Sequence, residues 1–131
     1  MIALDTNVLV RYLLADGPRQ FAAAQALLDS AQVCTAPLTV LLELVWVLES
    51  RGLGREDIAA GLHLLLGLAN FRPQQPQVLA QSLAWYAQGL DFADALHLAQ
   101  CRNVDAFASF DKQLGKRAGA LATRPSVITP G

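Results

Sequence analysis

Apolar residues follow two spacings along the chain, and each spacing predicts a different kind of element. Short, mainly apolar runs at residues 1–4, 33–36, 105–109 and 126–129 predict strands, the first of them buried. Apolar residues three and four positions apart predict helices at residues 6–15, 37–51, 91–103 and 111–118, with further helices around residues 21–31, 58–69 and 79–87. Strands that alternate with helices indicate an α/β sandwich, in which a parallel sheet is covered by helices.

The size and composition of the chain fit one compact domain. Its 131 residues suffice for a single hydrophobic core, so we expect one domain over residues 1–131. The hydrophobic share of 53% excludes a disordered chain, and the net charge of −1 excludes a strongly basic nucleic-acid clamp. Charged residues make up only 16%, against roughly 25% in a typical domain. This deficit indicates that a second copy or another protein covers part of the surface.

Nothing in the sequence indicates an exported or membrane protein. No basic segment followed by an apolar stretch is visible near residue 1, and the most apolar tract, residues 38–48, is interrupted by Glu43. Cys34 and Cys101 lie far apart and lack the spacing of zinc ligands, so we expect reduced, buried thiols. These features predict a cytoplasmic location and no membrane partner.

Acidic residues follow two of the predicted strands. Asp5 comes directly after the first strand, and Asp111 comes shortly after the third. Sites in parallel sheets form beyond the carboxyl ends of the strands, so both carboxylates lie where a site is expected. Both also precede predicted helices, where a carboxylate commonly caps backbone N–H groups, and the two interpretations stay open. Asp91 and Asp94 could likewise form a capping pair.

Glu43 has no comparable explanation as a cap. It lies in the middle of an apolar helix, between Leu42 and Leu44 and one turn from Trp46 and Val47. A buried carboxylate is costly unless it is paired, and no Lys or Arg lies within one helical turn of it. The alternatives are a protonated or arginine-paired core glutamate and a carboxylate compensated by a cation. Together with the aspartates, the second alternative predicts an oxygen-ligand site for Mg²⁺ or Mn²⁺, which suits phosphoryl chemistry.

Four segments, in order along nearly the whole chain, resemble the motifs of PIN-domain ribonucleases. They are residues 5–13 (DTNVLVRYL), 42–48 (LELVWVL), 91–97 (DFADALH) and 109–111 (SFD). Within that family, the chain resembles the VapC toxins of bacterial toxin–antitoxin pairs. Each motif alone is weakly specific, whereas four in the same order form a specific signature.

The resemblance implies a PIN-like α/β/α sandwich, with a short parallel sheet of about four or five strands, and a metal-dependent endoribonuclease site. The residues that correspond to the catalytic and metal-binding quartet are Asp5, Glu43, Asp94 and Asp111. Asp5 and Asp94 would hold the principal Mg²⁺ or Mn²⁺, and the other two acids would complete the site or hold a second ion. Asn7 and Ser109 correspond to polar neighbours that would orient water or a phosphate oxygen.

Residues near these acids carry further expectations. Asp91 corresponds to an extra acid of many relatives, and we expect it to act as a helix cap first. Arg11 and Lys112 are candidate substrate-binding residues, because phosphate contacts dominate nucleic-acid affinity, although a solvated helix face explains them equally well. His97 lies three residues after Asp94, and the chemistry does not require it.

The aromatic residues divide into two groups. Trp46 and Trp85 lie on apolar helical faces, where we expect a core or partner-interface role. Tyr12 and Phe110 lie beside the acids and are candidates for stacking on RNA bases.

The resemblance also implies partners: an RNA substrate, a VapB-like antitoxin and a second copy in a homodimer. The apolar helices around residues 21–31 and 38–48 would form the contacts with the second copy and with the antitoxin. A helix of the antitoxin would lie in an apolar groove. The main alternative is a catalytically degenerate RNA-binding or scaffold module of PIN shape. A magnesium phosphatase is disfavoured because the sequence has neither a glycine-rich phosphate loop nor an Asp-x-Asp motif. A structure-specific DNA nuclease would need additional helices.

Overall fold

Seven helices and four short strands alternate along the chain, as the spacing of apolar residues predicts. The computed structural model describes all 131 residues and divides into two compact units, residues 1–76 and 77–131. Each unit contains one pair of parallel strands. The predicted α/β class is therefore confirmed, with two pairs of strands where we expected four or five in one sheet. None of the helices has the length and apolar character needed to cross a membrane.

The first unit contains strands β1 and β2 and helices α1 to α4. Their bounds are Ile2–Ala3 for β1, Thr6–Leu14 for α1, Pro18–Leu28 for α2, Cys34–Thr35 for β2, Leu38–Ser50 for α3 and Arg55–Leu66 for α4. β2 pairs with β1 on one side and forms a single parallel bridge to Phe71 on the other. Both residues of β1 are exposed, so the expectation of a buried first strand is wrong. β1 pairs only with β2, so its other edge is unpaired.

A tight turn at residues 15–17 separates α1 from α2. Ala15 ends α1 in the left-handed region with φ of 51°, and Gly17 has φ of 69°. Pro18 occupies the first turn of α2, where its missing N–H is not needed. The Asp-Gly-Pro sequence thus ends α1 and begins α2, and residues with positive φ lie on both sides of Asp16.

The core of the first unit lies between its helices. α1 packs against α2 and α3, and α3 packs against α4. The largest side chains fully buried in this unit are Leu9, Leu28, Leu41, Leu44, Leu48, Ile58, Leu62 and Leu65. Burial of each such side chain contributes about 1.5–3 kcal/mol to folding.

The second unit contains α6, α7 and the strands β3 and β4, together with α5 from its second residue onward. Their bounds are Pro76–Ala87 for α5, Phe92–Gln100 for α6, Ala106–Ala108 for β3, Lys112–Leu121 for α7 and Ser126–Ile128 for β4. β3 and β4 pair in parallel with Phe107 opposite Val127, and α7 packs against β4. Trp85 is buried in the core of this unit, as predicted, with Leu98 and Leu114.

Both cysteines are free thiols, as expected. Cys34 is fully buried in β2, and this burial raises the pKa of its thiol. Cys101 is only half-buried, so the expectation of a buried thiol is wrong for this residue. Helix α6 ends at Gln100, short of the predicted end at residue 103.

Helix α4 provides a matched test of the described packing. Leu65 is 1% exposed, whereas its neighbour Leu64 is 55% exposed. We expect Leu65→Ala to lower the free energy of unfolding by about 2–5 kcal/mol, because it removes buried methyl groups and leaves a cavity. Leu64→Ala should change it by less than about 0.5 kcal/mol. Urea unfolding followed by circular dichroism measures both, and equal effects would contradict this assignment of the buried face.

Candidate functional site

Asp5 lies at the junction between β1 and α1. Its side chain accepts a hydrogen bond of 2.7 Å from the backbone N–H of Thr6, so it caps the helix as the sequence allows. The residue is nevertheless exposed. One carboxylate oxygen, Oδ1, serves the cap, and the side chain remains accessible to a ligand.

Thr6 links Asp5 to the second predicted acid. Its hydroxyl Oγ1 donates a short hydrogen bond to Oε1 of Glu43, which lies on α3. Thr6 itself is buried, so its hydroxyl has a fixed environment. This contact joins α1 to α3 and brings Asp5 and Glu43 to the same cavity.

Glu43 is exposed, so the expectation of a carboxylate buried among apolar neighbours is wrong. Helix α3 buries the residues Leu38, Leu41, Leu44, Val45 and Leu48 on one face. Glu43 and Trp46 lie on the opposite face, and Trp46 is 66% exposed. The outer face of α3 is itself partly apolar, which made Glu43 resemble a core residue.

A cavity of about 250 Å³ lies between α1 and the outer face of α3, and we call it the acidic groove. Its lining consists of Asp5, Thr6, Asn7, Val10, Arg11, Glu43, Val47 and Arg51. The predicted residues Asp5, Asn7, Arg11 and Glu43 therefore meet at one place in the first unit. Asn7 and Arg11 also line a neighbouring cavity of about 400 Å³ between α1 and α2.

In the second unit, two further acids lie at the start of α6. Asp91 caps this helix by accepting a hydrogen bond of 3.2 Å from the backbone N–H of Asp94, as predicted. Burial raises the pKa of the Asp94 carboxyl, and the negative charges of Asp91 and Asp111 raise this pKa further. His97 has the opposite effect and lowers it. The four residues thus form one electrostatically connected group.

Asp111 lies beyond the carboxyl end of β3 and caps α7. Its Oδ1 accepts a hydrogen bond of 3.1 Å from the backbone N–H of Leu114. The hydroxyl oxygen of Ser109 accepts a bond of 3.0 Å from the backbone N–H of Asp111. This leaves the hydroxyl hydrogen of Ser109 available to a ligand.

The remaining predicted residues differ in how far their side chains are exposed. Lys112 is exposed at the first residue of α7. His97 is exposed and stacks on Phe107 with the ring centroids 6.4 Å apart. Phe110 is 78% exposed, which leaves its ring free to stack, whereas Tyr12 is half-buried.

Three residues of the acidic groove region were not predicted from the sequence: Thr6, Asp16 and Arg51. Arg51 Nη1 and Arg11 Nη1 both contact Oδ2 of Asp16, at 3.3 and 2.6 Å. The hydroxyl of Thr6, directly after Asp5, was a visible signal. The ion pair between Asp16 and Arg51 had no local signal, because these residues are 35 positions apart.

The acids of each unit are suited to a hard divalent cation. Their ligand atoms are all carboxylate oxygens, and no ion pair joins Asp5, Glu43, Asp94 or Asp111 to a basic residue. Within either unit, no three His, Cys, Asp and Glu side chains come together as a complete metal site. Mg²⁺ and Mn²⁺ retain several waters and need few protein carboxylates, so two acids per unit are compatible with such an ion.

Comparison with known proteins identifies one family. The family model described as PIN domain matches residues 2–120, which include all four acids. No curated protein matches the sequence significantly.

The capping role of Asp111 can be separated from its charge. We expect Asp111→Ala to lower the free energy of unfolding by about 1 kcal/mol, because the N–H of Leu114 loses its acceptor. Asp111→Asn should leave stability nearly unchanged, since asparagine caps helices about as well as aspartate. Thermal and urea unfolding of the two variants measure the difference. Equal losses of stability would show that the negative charge, rather than the cap, stabilises α7.

Proposed function

Because the chain belongs to the PIN-domain family, whose members are generally nucleases, we propose that it is a metal-dependent endoribonuclease of the VapC-toxin type. The observation that carries the proposal is the arrangement of Asp5, Thr6 and Glu43 in the acidic groove. Two exposed carboxylates line one cavity and form no ion pair with a basic residue. Thr6 connects them, because its backbone N–H donates to Asp5 and its hydroxyl donates to Glu43. Such a pair is suited to a cation that acts on phosphate esters.

We propose that the four acids serve a single site in one domain over residues 1–131. The match of one family model to residues 2–120 supports this, because it includes the acids of both units. Asp5 and Asp94 would hold the principal Mg²⁺ or Mn²⁺. Glu43 and Asp111 would complete the site or hold a second ion.

The proposed reaction is hydrolysis of an RNA phosphodiester by water. A divalent cation held by these carboxylates would lower the pKa of a water and would stabilise charge on the phosphate oxygens. Attack would form a bond between phosphorus and the water oxygen and break the bond from phosphorus to the leaving ribose oxygen. The water would lose a proton to solvent, and the leaving ribose oxygen would gain one from solvent. The hydroxyl of Thr6 holds the Glu43 carboxylate in place, and Asn7 and Ser109 orient the water or a phosphate oxygen. Arg11 and Lys112 contact neighbouring phosphates.

Cleavage of total cellular RNA by the purified chain tests the proposal. We expect cleavage at discrete sites with Mg²⁺ or Mn²⁺ and none with EDTA. Asp5→Asn and Asp94→Asn should each lower the rate about a hundredfold or more, since even a residue that only orients a metal ligand contributes about 10- to 100-fold. The matched controls Asp57→Asn and Asp105→Asn change exposed acids outside the predicted quartet and should keep full activity.

Metal binding by the same variants tests whether the site is single. If Asp5 and Asp94 share one ion, either substitution should weaken Mn²⁺ binding in a calorimetric titration by a similar factor. Two independent weak sites, each lost with only one variant, would contradict the single site. Cleavage that survives EDTA and both variants would contradict the nuclease assignment. RNA binding without cleavage would favour the degenerate binding module.

We further propose that the chain forms a homodimer and binds a VapB-like antitoxin. The exposed indole of Trp46 supports the dimer, because it lies on the partly apolar outer face of α3 and exposed apolar patches commonly mark protein–protein contacts. The cavity between α1 and α2, lined in part by Val8, Ala23 and Leu27, supports a groove for the antitoxin helix.

Light scattering after size-exclusion chromatography tests the dimer. We expect a dimer for the wild-type chain and a shift to monomer for Trp46→Arg, because the substitution places a charge in the apolar contact. The control Leu64→Arg adds the same charge at an exposed position of α4 and should remain dimeric. A monomeric wild-type chain at micromolar concentration would refute the proposed dimer.

A further inference from the structure

Two arginines line the acidic groove beside the carboxylates, and a third carboxylate holds both of them. Arg11 lies on α1, and Arg51 follows the last residue of α3. Their Nη1 atoms contact the same oxygen, Oδ2 of Asp16, at 2.6 and 3.3 Å. Arg11 Nε also donates a hydrogen bond of 2.7 Å to Oε1 of Gln20. The two guanidinium groups are therefore held near each other by one anchor.

The turn between α1 and α2 determines where this anchor lies. Ala15 and Gly17, on either side of Asp16, both have positive φ, which is unfavourable for alanine. A Cβ on Gly17 would lie 3.8 Å from both Cζ and Nη1 of Arg11, so the turn packs directly against the arginine. The backbone thus presents the Asp16 carboxylate to arginines from two different parts of the unit.

The arginines form ion pairs with Asp16 and not with the acids of the groove. Although they line the same cavity, no ion pair joins Arg11 or Arg51 to Asp5 or Glu43. A guanidinium group has five N–H donors, and the contacts with Asp16 and Gln20 use only a minority of them. Donors therefore remain for an anion. Both side chains are partly exposed, at 32% for Arg11 and 49% for Arg51, so an anion can reach them.

We propose that Arg11 and Arg51, positioned by Asp16, form a clamp for a backbone phosphate of single-stranded RNA. The proposal rests on the proposed function, which supplies RNA as the ligand. Guanidinium groups match phosphate oxygens with paired, charge-assisted hydrogen bonds, and two of them on one anchor give a preorganised site. Arg11 and Arg51 bind the phosphate, and Asp16 is a positioning residue.

Equilibrium binding of a fluorescein-labelled single-stranded RNA tests the clamp. The measurement uses the full-length chain with Asp94→Asn in Mg²⁺, so that cleavage does not interfere, and follows anisotropy over a range of KCl concentrations. Arg11→Gln and Arg51→Gln should each weaken binding about tenfold, as expected for lost charge-assisted hydrogen bonds. Each should also reduce the slope of log K against log salt by about 0.7, because one phosphate contact is lost. A merely structural ion pair would leave this slope unchanged.

Asp16→Asn distinguishes positioning from simple charge balance. A positioning role predicts weaker binding with the salt slope retained, since both arginines keep their charge. Tighter binding would mean that Asp16 only neutralises the arginines, and would overturn the proposed anchor. Arg51→Lys should retain the salt slope but recover only part of the affinity, because lysine lacks the planar fork.

Controls separate this proposal from misfolding and from the nuclease assignment. Arg19→Gln changes an exposed arginine on α2 outside the groove and should bind RNA with unchanged affinity and slope. Thermal unfolding shows whether each variant is folded, and Arg51→Lys serves as the folded comparison if Arg51→Gln is not. One outcome would overturn the clamp and leave the nuclease assignment standing. In it, the chain with Asp94 intact cleaves RNA, while the arginine variants bind RNA as tightly as before. If RNA binding depends on the arginines but no cleavage occurs, the nuclease assignment is overturned and the clamp stands. If the chain does not bind RNA at all, the clamp is contradicted.

Discussion

The need to cap the first turn of each helix shapes the chemistry of this molecule. The first backbone N–H groups of a helix have no partner within the helix, and an aspartate supplies the missing acceptor at three starts. Asp5, Asp91 and Asp111 cap α1, α6 and α7, the first and last of them where a strand passes into a helix. Each cap places a carboxylate at the positive end of the helix dipole. Two of these residues, Asp5 and Asp111, therefore stabilise the fold and also supply acids of the proposed site.

Most of the secondary structure could be predicted from the sequence, because local spacing determines it. Each helix and each strand falls within a few residues of its predicted position. Burial could not be predicted as well. Glu43 and Trp46 lie in a helix that is apolar on both faces, and periodicity does not show which face is covered. The packing of α3 against α1 and α4 decides this, and it depends on residues distant in sequence.

In the candidate site, too, contacts between sequence neighbours could be predicted and contacts between distant residues could not. The caps formed by Asp5 and Asp111 involve neighbours within three positions, so the sequence predicts them. Thr6 and Glu43 are separated by 37 positions, and their hydrogen bond emerges only when α1 and α3 pack together. The attachment of Arg51 to Asp16 is likewise a tertiary contact. The positions of the acids could thus be predicted, whereas the contacts that orient them and their basic neighbours could not.

The shared role of the capping aspartates has an evolutionary consequence. Asparagine accepts the same backbone hydrogen bond as aspartate, and a single base change converts the codon of one residue into that of the other. A lineage can therefore lose the negative charges while every helix start stays satisfied, so selection for folding does not oppose the change. At these positions, a substitution that abolishes catalysis leaves the fold intact. Only selection for the chemistry itself therefore preserves the acids. In this fold, a single substitution can therefore convert an active enzyme into an inactive protein with the same surface.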